Sequence, residues 1–245
     1  MSIAVASVYC ENIRSELLRL QYHLGYPSKS NIRCPIFQQD KIIYIRALSQ
    51  DAVIPTMPIK SLPLILNDAD IRTFLHDNHE GCGWVVKPPF CTNGEGLKFC
   101  KTVEKVIQAL KLLSRTICSR KGIPYLLLQP CLDNRKEYKV VCLNGHPKYI
   151  SNHSRGSKGR KFCNEEEVKA FAFNVLQSIS HRDDFIINML CRVDVMTYKG
   201  RMVVNELESF EAATPGPHDS EAQVVPFLVE FWQHQLMLLA NELMC

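Results

Sequence analysis

The chain has 245 residues, 46% of them hydrophobic and 22% charged, and a formal charge of +4 at neutral pH. That length buries a sizeable core as one large domain or two small ones, and the balance excludes a disordered chain. The charge suits anionic ligands such as nucleotides but is too small to argue for nucleic acid, and no apolar run reaches membrane-spanning length.

In chain order, SIAVASVY reads as a strand, and apolar residues at helical spacing from Asn12 to about Tyr26 read as a helix. After the turn Pro27 to Asn31, the β-branched DKIIYIRA reads as a strand. Pro55, Pro58 and Pro63 mark a linker that cannot be helical throughout, and Asp68 or Asp70 suits the cap of a short helix to about His79. WVVKP is a buried strand, CTNGEG a loop and LKFC the returning strand. Val103, Val106, Ile107, Leu110, Leu113 and Ile117 share one helix face, and YLLLQP is the continuous apolar run of a strand covered on both faces.

EYKVVCL and HPKYIS flank Asn144-Gly145, a pair suited to a type I′ hairpin turn. The basic stretch SNHSRGSKGRKF cannot enter a core. Asn164 with Glu167 resembles a capping box, and the helix behind it sets Val168, Phe171, Ala172, Val175 and Ile179 on one side. CRVDVMTY and RMVVNELES form a second hairpin around Lys199-Gly200, and a last amphipathic helix starts near Glu221. Hairpins beside helices argue an α+β fold rather than alternating parallel units. Without GxxxxGK[ST] or a strand-linked GxGxxG, the P-loop and Rossmann routes to nucleotide binding are closed.

The eleven cysteines are scattered and odd in number, with no zinc-type CxxC pair. They read as reduced thiols acting as small hydrophobes, and with no basic segment in the opening MSIAVASVYCENIR the expected location is cytoplasmic.

Three places can carry chemistry. Along an extended strand Glu206 and Glu208 project side by side, and the tight turn brings Asp194 back toward them. Mutually repelling carboxylates need a cation, and Mg²⁺ takes one or two of them plus phosphate oxygens. The competing reading pairs one carboxylate with Arg192 and leaves the outer face solvated. Lys87 ends a hydrophobic strand and precedes Thr92-Asn93-Gly94-Glu95-Gly96. A lysine there can meet a phosphate, and a glycine loop can close over it, although such a loop also reads as an ordinary hairpin turn. Between Gln129 and Glu137 a strand becomes a connector whose backbone can read adenine and whose glutamate can hold ribose hydroxyls, against the alternative of a plain strand end.

Taken in order, these segments resemble the ATP-grasp superfamily, with the D-alanine–D-alanine ligases the closest motif match. The resemblance implies two α+β subdomains whose antiparallel sheets sandwich ATP, behind a shortened N-terminal region. It divides the chain into a short α/β segment at 1–39, a first subdomain at 40–128 and a second at 129–245. CRVDVM and VVNELES resemble the ligase hairpin, which makes Arg192 the catalytic cation and Asp194, Glu206 and Glu208 the Mg²⁺ ligands. WVVKP and TNGEG resemble the phosphate-binding strand and lid, assigning Lys87, Asn93, Gly94 and Gly96. LLLQPCL and EYKVVCLNG resemble the hinge and ribose segment, assigning Gln129, Leu132 and Glu137. Asp40-Lys41 with Pro55-Thr56 resembles the family's leading segment, where the lysine touches phosphate, although the family has a helix there. One of Arg155, Lys158, Arg160 and Lys161, with Lys158 the representative choice, falls where the family places a further phosphate-binding cation.

This chain departs from the family in carrying Glu208 where most members have asparagine, and in the short stretch before Asp40. The implied activity joins small-molecule carboxylate and amine substrates, with ATP and Mg²⁺, through an acylphosphate. The alternatives are a small-molecule kinase of the same fold, as for inositol phosphates, a tubulin–tyrosine ligase-like activity on a polypeptide, and a non-catalytic ATP-binding module. A homodimer is the default expectation, with neither nucleic acid nor membrane as partner.

Overall fold

The computed structural model describes residues 41–61, 63–79, 81–89, 96–119, 123, 125–132, 137–151, 164–180, 190–208 and 221–244. The expected N-terminal strand and helix, Asp40, most of the glycine loop and the basic stretch lie outside them. The described residues divide between two units, each built on a four-stranded antiparallel sheet with helices, so the α+β expectation holds.

One unit takes the described parts of Ile36–Glu137 together with Met196–Asn205. Its elements are α1 (Lys41–Ala47), β1 (Met57–Lys60), α2 (Asp68–Asp77), β2 (Trp84–Lys87), β3 (Lys98–Cys100), α3 (Val103–Leu113) and β4 (Tyr125–Pro130). A π-helical turn, Ser114–Cys118, extends α3. The sheet runs β1-β4-β2-β3, so β4 is flanked on both edges. Its residues from Leu126 to Pro130 are all buried. Leu126 and Leu128 join the core with Val86, Ile71, Leu75, Val106, Leu110 and Leu113, which anchors α2 and α3. Such residues supply roughly 1.5–3 kcal/mol each by leaving water.

Three local expectations are corrected here. DKIIYIRA, expected as a strand, contains helix α1. The β-branched run favours a strand, but Lys41, Tyr44 and Leu48 recur at helical spacing and are all buried. The Tyr44 hydroxyl also donates to the Asn205 carbonyl at 2.7 Å. Tertiary burial overrides a propensity worth only tenths of a kcal/mol per residue, roughly. The proline-marked linker contains β1, which is an edge strand and therefore tolerates Pro58. The cap of α2 is Asn67, whose side chain accepts from Ala69 N at 3.2 Å, while Asp68 and Asp70 sit in the first turn. Both aspartates there meet the positive end of the helix dipole.

The other unit takes the described parts of Tyr138–Val195 and Glu206–Cys245. Its elements are β5 (Tyr138–Leu143), β6 (His146–Ser151), α4 (Glu165–Ile179), β7 (Leu190–Tyr198), β8 (Arg201–Glu208) and α5 (Glu221–Met244), in the sheet order β6-β5-β7-β8. The tip of the β7–β8 hairpin, from Met196 to Asn205, belongs to the first unit. Both expected hairpins form, and φ is positive at both turn residues of each, at Asn144 (53°) and Gly145 (76°), then Lys199 (48°) and Gly200 (78°). That is the type I′ signature. Asn164 caps α4 by accepting from Glu166 N at 3.1 Å. Phe227, Leu228 and Phe231 of α5 pack on Val141, Leu143 and Tyr149.

Cys142 stands opposite Cys191 across β5 and β7, both buried. Burial, then the neighbouring Cys191 thiol, pushes the Cys142 thiol well above its ordinary value, so it behaves as a small hydrophobe. Cys82, Cys100, Cys118, Cys131, Cys142 and Cys191 are all free thiols. Among the described residues no helix is long and apolar enough to cross a membrane.

The strand that carries Lys87 depends on a close approach at its start. Gly83 has φ +89°, and a Cβ there would lie 2.3 Å from the backbone oxygen of Cys100. Gly83→Ala is expected to destabilise the fold by more than about 1 kcal/mol, read as a lowered midpoint in urea denaturation.

Candidate functional site

In the first unit, Lys87 closes β2 and is 6% exposed, and Lys41 at the start of α1 is 5% exposed. Their ammonium groups lie where water screens little, so each acts strongly on a nearby anion. β2 pairs with β4, setting Val85 opposite Gln129 and Lys87 opposite Leu127. Gln129 is buried and its amide donates to the Thr56 hydroxyl at 2.7 Å, which in turn donates to the Ile54 carbonyl at 2.8 Å. These bonds hold the end of β4 to the Pro55-Thr56 segment.

Beyond β4, Leu132 packs on Ile54, Met196, Tyr198 and Val203. Glu137, half-buried, accepts from the Asn205 side-chain amide at 2.7 Å. Gly96 has φ +75° and lies against Pro88 and Ile117, with 2.7 Å from its Cβ position to Ile117 Cδ1. Asn93, Gly94 and Lys158 fall outside the described residues.

In the second unit, Arg192 and Asp194 share one face of β7 and form a two-point ion pair. Nε donates to Oδ1 at 2.5 Å and Nη2 to Oδ2 at 2.8 Å. The side chains are only 11% and 2% exposed. Glu206 and Glu208 are partly exposed on β8, with Leu207 buried between them. No group of three or more His, Cys, Asp or Glu among the described residues is placed to hold a metal ion.

Two turn residues with positive φ, Lys199 and Gly200, join the two strands. The pair Glu206 and Glu208, hard oxygen donors two apart on one strand face, fits the two-carboxylate mode in which Mg²⁺ is held.

Asn205 and Tyr44 were not singled out from sequence. Asn205 carries no local signal, because its side chain meets a residue 68 positions away. Tyr44 carries no such signal, because its role needs α1 to be helical.

The buried ion pair sets a stability expectation. Asp194→Ala leaves the Arg192 guanidinium buried without its carboxylate and should cost about 3–5 kcal/mol, whereas replacing both residues with leucine and methionine should cost far less. Urea denaturation of the two variants reads the difference.

No family model and no curated protein matches the chain by sequence. Solved structures do match by shape. The D-alanine–D-alanine ligase from Coxiella burnetii aligns with a TM-score of 0.55 at 15% identity, over 84% of this chain and 62% of that one. The enzyme from Bacillus anthracis aligns at 0.52 and 15% identity, over 79% and 62%. The latter complexed with ATP aligns at 0.50 and 16% identity, over 78% and 57%. The chain spans less than two thirds of the length of each. At such identity the likeness is one of fold, and the chain has the ATP-grasp fold of the D-alanine–D-alanine ligases.

Proposed function

We propose that this protein binds ATP with magnesium and joins a carboxylate to an amine, releasing ADP and phosphate. The observation that carries this reading is one sheet in which β2, ending at the buried Lys87, lies beside β4, whose end leads through Gln129 and Leu132 to Glu137. Those residue types, in that order on an ATP-grasp fold, match what a nucleotide asks for. Cations meet its phosphates, a strand end meets its base, and a carboxylate meets its ribose.

In this reading Lys41 and Lys87 hold phosphate oxygens, the backbone from Gln129 to Leu132 reads the adenine edge, and Glu137 accepts from the ribose hydroxyls. Asn93, Gly94 and Gly96 belong to a loop that covers the phosphates, with Lys158 a further cation. Glu206 and Glu208 are the carboxylates that would hold magnesium, which when bound neutralises charge between the terminal phosphates. Asp194 fixes the plane and direction of the Arg192 guanidinium.

The substrate carboxylate attacks the γ-phosphorus, ADP departs, and a mixed acylphosphate forms. The amine then attacks the acyl carbon, the C–O bond to phosphate breaks, and the amine loses its proton. Arg192, shielded from water and already oriented, stabilises the oxyanion of the tetrahedral intermediate. Exclusion of water protects the acylphosphate from hydrolysis.

Thermal melts and ADP release test this together. Mg-ATP at a hundredfold above its Kd should stabilise the fold by about 2.7 kcal/mol. Lys87→Ala should weaken ATP binding about tenfold to a hundredfold, as expected for a lost charged contact. Glu206→Ala should remove the magnesium dependence of the shift. ADP release should require both a carboxylate and an amine from pooled acceptors. No shift with Mg-ATP would end the proposal, and release with a polyol alone would make the reaction a phosphoryl transfer.

A further inference from the structure

Asn205 stands at a junction of the first unit. Its side-chain Nδ2 donates to Glu137 Oε1 at 2.7 Å. Its carbonyl accepts from the Tyr44 hydroxyl at 2.7 Å, and Tyr44 is 1% exposed on the helix that also carries Lys41. The residue before it is fixed as well. Val204 N donates to Ala52 O at 2.7 Å and Val204 O accepts from Ile54 N at 3.3 Å. The amide of Asn205 is therefore presented from a backbone pinned on both sides.

We infer that Asn205 is a positioning residue for Glu137, setting the carboxylate that selects a ribose over a deoxyribose nucleotide. The inference rests on the ATP-binding reading. Glu137 lies just before β5, at the end of a connector, and a glutamate there has three rotatable bonds to restrain. A donor held at 2.7 Å restrains them before any ligand arrives.

The type of donor matters. A carboxylate has about four acceptor sites on its two oxygens, and the Asn205 amide takes one of them. An aspartate at 205 would have the same shape but would repel Glu137.

The test compares Mg-ATP with Mg-2′,3′-dideoxy-ATP on the whole chain, reading the ratio of their dissociation constants. Wild type should prefer ATP. Asn205→Ala should weaken ATP about threefold to tenfold, leave the dideoxy nucleotide nearly unchanged and bring the ratio close to that of Glu137→Gln. The double variant should resemble either single one, because both act on the same contact. Asn205→Asp should reduce the ratio further than alanine does. Because a ratio is read, loss of folded protein cancels.

Equal weakening of both nucleotides, or a ratio unchanged from wild type, overturns the role of Asn205 while ATP binding stands. A wild type that binds neither nucleotide overturns both.

Discussion

The two-residue turn at Lys199-Gly200 governs the acidic hairpin. Both turn residues have positive φ, the geometry that matches the twist of the strands they join. Once it forms, it fixes the register beside the turn, and a change of one residue in the loop would exchange the two faces of β8. Arg192, two residues before Asp194 on the same face of β7, finds a carboxylate within reach and binds it at two points.

Much of the fold was legible because it depends on local physics. The strands around WVVKP and YLLLQP, both hairpins and the helices capped at Thr102 and Asn164 need only short apolar runs, turn chemistry and a cap. What was not legible depends on distant partners. The run Ile42, Ile43, Ile45 favours a strand until Tyr44 finds the Asn205 carbonyl, separated from it by 161 residues. Prolines hide β1 because a reader of one segment does not know that it will be an edge, where a missing N–H costs nothing.

The candidate site divides in the same way. Lys87, Gln129 and Glu137 were readable as ends and exits of strands, and the structure keeps them on one sheet or its connector. The acidic hairpin was readable as a set of charges but not as a geometry. Period-two alternation correctly sets Glu206 and Glu208 together, yet it says nothing of how β7 meets β8. In the structure the Asp194 carboxylate is bound by Arg192, two residues before it on the same strand.

A fold kept at 15% identity fits what its elements require. A core strand such as β4 needs residues that are apolar and of suitable size, and many sequences satisfy that. Polar positions in the interior are less permissive, since each must find its partner or cost free energy. Here these include the buried amide of Gln129 on Thr56, the guanidinium of Arg192 on Asp194, and the half-buried amide of Asn205 on Glu137. Fold likeness alone does not give a reaction. The polar pairs are where this chain's own chemistry is written, and Asn205 illustrates it, because its half-buried amide meets the need for a partner at the Glu137 carboxylate and so ties a strand to a connector.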